Sequence, residues 1–267
     1  MRRGIPSIRC KESKMKLTRF RHGAFEFNGA IRGEEIAVIE GEFWEDFRVT
    51  DAVYPLKQVK LLPVSIPSKI VCIGLNYLKH IEEVGATQLA AAHFFLKPPT
   101  CLIGPEEAIV IPKHAERVDY EGELAMVIGK PMKDVPEKDA LSYVLGYTCF
   151  NDVTERALVG KSMSYLTEAK GYDTFGAVGP WMETDLDPDS LDIKTFLNGK
   201  MMQRDNTANC LFSASQVLFA IARCMTLLPG DIVSTGTPKG IAAMKAGDIV
   251  EVEIGGIGKL RNHVRSA

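Results

Sequence analysis

The chain has 267 residues, of which 46% are hydrophobic and 25% are charged, a composition typical of a globular protein with a buried core. Its formal net charge of −2 argues against a general electrostatic attraction to nucleic acid or to an anionic membrane. No apolar run approaches the roughly 18–20 residues that cross a bilayer, and the basic start lacks a stretch of signal-peptide length, so we expect a cytoplasmic protein.

The first quarter of the chain predicts a small β domain behind a short extension. Residues 1–14 show no strand or helix pattern, and we expect them to precede the fold. Strand-like stretches begin at Met15 with MKLTRFRH and continue with EEIAVIEG, and we expect a turn around Asn28 and Gly29 between them. These stretches predict an N-terminal β domain over residues 15–65. It ends in LLPVSIPSK, whose two prolines are typical of a connector.

Residues 66–267 predict a mostly β, α+β catalytic domain. Strand-length runs bounded by Gly, Pro and Asp follow one another: KIVCIG, FFLK, EEAIVIP, GELAMVIGK, YVLGYTCFND, GAVGPWM, IKTFLNGKMM, DIVSTGT and DIVEVEIGGIGKL. KHIEEVG predicts a short helix that Gly85 ends. Only SASQVLFAIARCMTLLPG has a clear helical period, with Ser213 or Ser215 as its N-cap. One such helix among many strands excludes a doubly wound α/β fold.

Two glutamates in VDYEGELAMVIGK form the most informative pattern in the chain. On a strand, Glu121 and Glu123 project from the same face, with Cα atoms roughly 6.5–7 Å apart. The alternative is a solvent-facing pair on an amphipathic strand. The residues from Leu124 to Ile128 are apolar without alternation, however, which indicates a strand that is covered on both faces.

Carboxylates at the head of a buried strand predict a metal site. Glu121 and Glu123 would repel each other and lose hydration, so each must be neutralised, protonated or given a cation. Asp152 ends the apolar run YVLGYTCFND and can supply a third ligand, although such a residue is also an ordinary turn signal. Oxygen ligands favour Mg²⁺, Mn²⁺ or Ca²⁺ over zinc. The six cysteines contain no CxxC pair and give no support for a thiolate zinc site.

Three further positions are candidates for chemistry beside a metal. His80 and Glu83 are three residues apart in the short predicted helix, which suits a base that activates water, although an exposed ion pair has the same spacing. Lys170, in EAKGYDTFG, is placed at a loop or strand boundary; near the acids it would stabilise an enolate or bind a substrate carboxylate. STGTPKG does not match a phosphate loop, but its amides and Thr237 can bind an anion.

Seven motifs, in unbroken order over residues 69–264, resemble the fumarylacetoacetate hydrolase family: KIVCIGLNYLKHIEE, FFLKPPTCLIGP, VDYEGELAMVIGK, GYTCFNDVTER, AKGYDTFGAVGPW, STGTPKGI and GDIVEVEIGGIGKLRN. The resemblance implies a distorted β-roll catalytic domain preceded by a small β domain, usually in a homodimer. It also implies Mg²⁺, or Mn²⁺ in its place, bound by Glu121, Glu123 and Asp152. The family's start matches Met15 better than Met1.

The resemblance also assigns expected roles to five side chains. The family's lysine falls on Lys170, and its water-activating pair falls on His80 and Glu83. Arg156 matches an arginine near the substrate carboxylate, and Thr237 matches the threonine of a substrate-side loop.

The chain departs from the family pattern at two places. NDVTER stands where NDVTAR is commoner, and Val159 replaces a glutamine that contacts the substrate in many members. The lid region EVGATQLAAAHFF lacks the prolines that often precede the FLKP motif. Because of these two differences, the sequence does not specify which substrate is bound or how the lid closes.

The chemistry that the resemblance implies starts from a small 2-oxo acid or its enol, which chelates the metal, while the metal and Lys170 stabilise an enolate. We hypothesise hydrolysis of an acylpyruvate-type C–C bond first, because His80 and Glu83 are both present. The alternative is isomerisation or decarboxylation of 2-hydroxyhepta-2,4-diene-1,7-dioate-type compounds or oxaloacetate. A hypothesis of another class is a non-catalytic, metal-binding oligomer, whereas a phosphoryl-transfer enzyme lacks the required phosphate loop.

Overall fold

The structure, a computed structural model, describes residues 14–267. Its strands are β1 (Lys16–His22), β2 (Phe25–Arg32), β3 (Glu35–Glu40), β4 (Arg48–Pro55), β5 (Lys60–Leu61), β6 (Ile70–Gly74), β7 (His93–Lys97), β8 (Leu102–Ile103), β9 (Ala108–Ile111), β10 (Val118–Asp119), β11 (Gly122–Ile128), β12 (Val144–Asp152), β13 (Thr154–Glu155), β14 (Gly176–Glu183), β15 (Asp192–Leu197), β16 (Lys200–Asn206), β17 (Ile232–Ser234), β18 (Ile249–Ile254) and β19 (Gly258–Ser266). The α-helices are α1 (Leu78–Glu83), α2 (Arg156–Lys161), α3 (Leu166–Gly171) and α4 (Ala214–Cys224). The predicted mostly β, α+β fold is confirmed.

Two large sheets make up most of the fold. One has the strand order β4-β3-β2-β1-β14-β12-β11-β17-β6-β7, with β5 and β8 paired to its side. The other has the order β16-β15-β18-β19-β9, and β10 pairs with β13 separately. The N-terminal strands extend the first sheet, because β1 pairs with β14. The division into residues 15–65 and 66–267 stays a prediction, and all but Lys14 of the expected extension lies outside the described residues.

Strand β11 lies between the two hydrophobic cores of the molecule. Leu124 and Met126 belong to the larger core, which also contains the inward side chains of β18 and α4. Ala125 and Val127 point the other way, into the core beneath the N-terminal strands. All seven residues of β11 are therefore buried, as the absence of alternation predicts.

Helix α4 confirms the helical period, and its N-terminus distinguishes the two candidate caps. The side chain of Ser213 accepts from the amide of Gln216, whose own side chain accepts from the amide of Ser213, forming a capping box. Ser215 lies inside the helix. Val217 and Ile221 are on its buried face.

One local expectation was wrong, and two short helices were not predicted. The turn after β1 lies at Gly23, with φ 59°, while Asn28 and Gly29 lie inside β2. Gly29 is required there by packing, since a Cβ would lie 2.6 Å from the Ile36 side chain. Helices α2 and α3 were also missed, because six-residue helices are too short to show a periodic apolar pattern.

Candidate metal centre

Three buried carboxylates meet where β11 begins and β12 ends. Glu121, Glu123 and Asp152 are 5%, 1% and 1% exposed, and each offers an oxygen within 4.8 Å of the others. Glu121 immediately precedes β11, whereas the sequence placed it in the strand. Its carbonyl oxygen still accepts from the amide of Asp152 at 2.9 Å, so antiparallel pairing sets the position of the third acid.

The glycine between the two glutamates is dictated by the second sheet. A Cβ on Gly122 would lie 2.1 Å from Thr195 Oγ1 and 3.3 Å from Gln203 Oε1. The Gly122 amide donates to that same glutamine oxygen at 3.1 Å, and its carbonyl accepts from Thr237 Oγ1 at 2.9 Å. The backbone between the two glutamates is therefore held by hydrogen bonds on both sides and has no room for a larger side chain.

We expect Gly122→Ala to weaken metal binding by about 10–100-fold, because the backbone must move and take both carboxylates with it. Overpacking should also cost about 1–3 kcal/mol of stability. Calorimetric titration with Mg²⁺ and thermal unfolding measure the two effects. Gly160→Ala, in α2, is the matched control because a Cβ there meets nothing within 4 Å. Equal metal affinity for both variants would contradict the expectation.

Cationic side chains surround two of the three acids. The Lys170 ammonium lies 2.6 Å from both Glu121 Oε2 and Asp152 Oδ2. The Lys97 ammonium lies 2.6 Å from Asp152 Oδ1, and Arg156 pairs with Glu121 Oε1. Burial alone would raise the pKa of Glu121, but Lys170 and then Arg156 hold it below its usual range. Burial would likewise lower the pKa of Lys170, but Asp152 and Glu121 keep it above its ordinary value.

Glu123 is the carboxylate whose charge remains uncompensated. Burial, followed by the charges of Asp152 and Glu121, raises its pKa well above the ordinary value. The Gly236 amide donates to it at 3.0 Å, but within residues 14–267 it forms no ion pair. A divalent cation would supply that missing charge, and three carboxylate oxygens fit a hard ion such as Mg²⁺ or Mn²⁺.

The predicted histidine–glutamate contact is present beside this cluster. His80 Nδ1 lies 3.0 Å from Glu83 Oε2 within α1, and His80 is 5% exposed. The imidazole is close enough to Glu121 that, when the ring is protonated, it lowers the pKa of that carboxyl. Because a carboxylate only accepts, Nδ1 carries the proton, and a neutral ring then presents the lone pair of Nε2.

The other three candidate site residues have protein partners of their own. Lys170 is in the last turn of α3, which corrects its expected loop or strand position. Arg156 Nε donates to Asp119 Oδ2 at 3.0 Å. Thr237 Oγ1 accepts from Gln203 Nε2 at 2.9 Å while it donates to Gly122. Contact of Arg156 and Thr237 with a substrate stays a prediction.

Lys97 is the residue of this cluster that the sequence interpretation missed. Its side chain is fully buried, and besides Asp152 it approaches the Val153 carbonyl at 3.3 Å. The available signal was a lysine inside the apolar strand FFLK, since a lysine is almost never fully buried without a partner.

The fold and the site define a mostly β protein with a carboxylate and lysine centre that fits a divalent cation. A family model described as fumarylacetoacetate (FAA) hydrolase C-terminal matches residues 69–265. A second model, described as Rv2993c-like, N-terminal, matches residues 15–63. The chain belongs to the fumarylacetoacetate hydrolase family and is an enzyme of that family.

Several known proteins are similar over most of their length. Protein Rv2993c of Mycobacterium tuberculosis is 44% identical, with 80% of this chain and 82% of that protein covered. The structure of 5-carboxymethyl-2-hydroxymuconate delta-isomerase from Mycobacterium smegmatis matches with TM-score 0.89 and 37% identity, covering 95% and 100% of the two chains. Maleylpyruvate hydrolase from Sphingobium sp. SYK-6, in complex with manganese(II) and pyruvate, matches with TM-score 0.79 and 31% identity over the same shares.

Membrane spans were also sought among residues 14–267. None of the helices there combines the length and the hydropathy that crossing a bilayer requires.

Proposed function

We propose that the chain is a Mg²⁺- or Mn²⁺-dependent hydrolase that cleaves a C–C bond of acylpyruvate-type acids. The observation that supports this reaction is the His80–Glu83 pair beside the three carboxylates, because hydrolysis needs a base for water. Glu121, Glu123 and Asp152 would hold the metal ion, which would supply Lewis-acid polarisation of the substrate's 2-oxo acid oxygens.

Each side chain then has a defined task. His80 Nε2 takes a proton from water, whose oxygen attacks the acyl carbonyl carbon, and Glu83 holds the Nδ1 proton of the same ring. The bond between that carbon and the methylene breaks, and its electron pair passes to the pyruvate enolate. Transfer of the proton now held by His80 Nε2 to the enolate carbon completes pyruvate and the carboxylic acid and restores the neutral ring.

Lys170 is the group that would stabilise the enolate charge. An ammonium has three donors, and Lys170 uses two of them on Glu121 and Asp152. Within residues 14–267 the third donor has no hydrogen-bond acceptor, and the ammonium lies 5.0 Å from the centroid of the Phe95 ring; we propose that this donor binds an enolate or carboxylate oxygen. Arg156 is the proposed neighbour of the substrate carboxylate, and Thr237 is proposed to line the same pocket from the loop after β17.

The maleylpyruvate hydrolase structure supports this proposal, since that protein binds manganese(II) and pyruvate. Isomerisation is the second candidate, because the similar proteins also include the delta-isomerase and a 2-hydroxyhepta-2,4-diene-1,7-dioate isomerase from Mycobacterium marinum, 38% identical. Isomerisation or decarboxylation would use the same enolate without water attack.

Assays of the purified protein with acylpyruvates, oxaloacetate and the dienedioate distinguish the candidates. We expect EDTA-sensitive cleavage of an acylpyruvate that Mg²⁺ or Mn²⁺ restores. Turnover of the dienedioate or oxaloacetate alone would favour the second candidate. Metal binding without turnover of any of these compounds would refute both and favour a non-catalytic metal-binding protein.

We also infer that the chain acts as a homodimer, as the family resemblance implies. Light scattering coupled to size-exclusion chromatography is expected to give twice the 29.4 kDa of one chain. A mass of 29.4 kDa at micromolar concentration would contradict the inference.

A further inference from the structure

Four hydrogen bonds connect a buried tyrosine to the histidine of the site. Tyr120 Oη donates to the Gly240 carbonyl at 2.8 Å. The amide of Gly240 donates to both carboxylate oxygens of Glu83, at 3.0 and 3.1 Å. Glu83 in turn accepts from His80 Nδ1 at 3.0 Å. Two consecutive peptide units meet at Gly240: the carbonyl of one accepts from Tyr120, and the amide of the other donates to Glu83.

The backbone of Gly240 leaves little freedom in how its amide is aimed. Its φ is +113°, and a Cβ would lie 2.2 Å from the Met202 carbonyl oxygen, so both conformation and space require glycine. A glycine also has many alternative conformations, so an external contact must fix one of them. The Tyr120 hydroxyl is the side-chain donor that binds the Gly240 carbonyl.

Tyr120 is itself placed rigidly relative to the metal centre. Its side chain is fully buried in the larger core, and it immediately precedes Glu121. The chain of hydrogen bonds therefore spans from the segment that carries the metal carboxylates, through the loop after β17, to the helix that carries the base. Such a connection fixes the position of the imidazole relative to the carboxylates.

We propose that Tyr120 is a positioning residue for water activation: it fixes the backbone conformation at Gly240, and the Gly240 amide then orients Glu83 and His80. Its consequence for turnover rests on the proposed hydrolytic function, whereas the coupling between Tyr120 and α1 does not.

Tyr120→Phe removes only the hydroxyl and tests the coupling directly. Hydrogen–deuterium exchange read by mass spectrometry is expected to show several-fold faster exchange in residues 78–84 and at Gly240. For hydrolysis, kcat should fall about 10-fold with KM within two-fold. The dissociation constant for Mg²⁺ should stay within two-fold, because the three carboxylates keep their contacts. Tyr147→Phe, which removes a hydroxyl from the same core, is the matched control and should change none of these quantities.

Two results would overturn the proposal: unchanged exchange in residues 78–84, or a parallel loss of metal affinity and kcat, which indicates a merely structural role. Gly240→Ala disturbs the other partner of the Tyr120–Gly240 hydrogen bond and should give the same exchange pattern. It therefore tests the coupling even if Tyr120→Phe folds poorly. If the unmodified protein has no hydrolytic turnover, the proposed function fails while the exchange experiment still decides the coupling.

Discussion

Glu123→Gln is expected to abolish metal-dependent turnover and to weaken Mg²⁺ binding by at least about 100-fold. An amide keeps the size of the side chain but removes the anionic oxygen that a hard cation needs. Glu123 is also the acid of the cluster that forms no ion pair within residues 14–267, so a bound metal ion would gain most from it. Calorimetric titration gives the affinity, and kcat/KM with Mg²⁺ gives the turnover.

The same substitution should stabilise the metal-free protein. Burial and two neighbouring acids raise the pKa of Glu123 in the folded state above its unfolded value of about 4.3. Any contribution of Glu123 to the free energy of unfolding is therefore complete below the unfolded pKa, and it is lost as the pH rises through the folded pKa. With EDTA at neutral pH, Glu123→Gln should raise the midpoint of thermal unfolding, and metal should no longer raise it further.

A glutamate on the surface of the second sheet provides the control for this pair of opposite effects. Glu253→Gln, in β18, removes the charge of a side chain that is 35% exposed and paired with Lys194 at 3.5 Å. It should leave metal affinity and turnover unchanged. Retention of Mg²⁺ affinity by Glu123→Gln would contradict the assignment of the site.

His80→Ala is expected to lower kcat for acylpyruvate hydrolysis by about 10²–10⁴-fold, the usual contribution of a general base. Metal affinity should stay within a few fold, because within residues 14–267 His80 hydrogen-bonds Glu83 and none of the three carboxylates proposed to bind the metal. Any enolate reaction without water, such as oxaloacetate decarboxylation, should be far less affected.

Lys170→Met should instead lower the rates of both reactions, since Lys170 contacts Glu121 and Asp152 directly.

The chain contains a matched histidine for comparison. His263 Nε2 lies 3.1 Å from Glu106 Oε2 on the surface, with 47% of its side chain exposed. His263→Ala removes an equivalent contact away from the site and should leave kcat unchanged. Equal hydrolytic rates for His80→Ala and the unmodified protein would remove the base from the mechanism.

The arrangement of acids was predictable because it follows from local geometry. A two-residue spacing places Glu121 and Glu123 together, and an unbroken apolar run indicates that their strand is covered on both faces. By its local sequence alone Asp152 could equally be a turn residue, and the order of motifs around it indicated a third candidate ligand. Antiparallel pairing of β11 with β12 is the physical reason that it arrives there.

The rest of the site depends on contacts between distant segments. Lys170 reaches the acids from a helix too short to recognise, and Lys97 pairs with Asp152 across 55 residues of sequence. Arg156 and Thr237 were assigned to the substrate by resemblance, while their contacts to Asp119, Glu121 and Gly122 depend on tertiary structure. Periodicity and spacing describe one segment at a time, and none of these pairings lies within one segment.

Anomalous diffraction from a crystal grown with Mn²⁺ and oxalate tests the central claim most directly. We expect one manganese ion bound to Glu121, Glu123 and Asp152, with oxalate completing its coordination and lying beside Lys170. An acidic cluster without manganese at saturating concentration, or an ion bound elsewhere in the chain, would contradict the proposed metal centre.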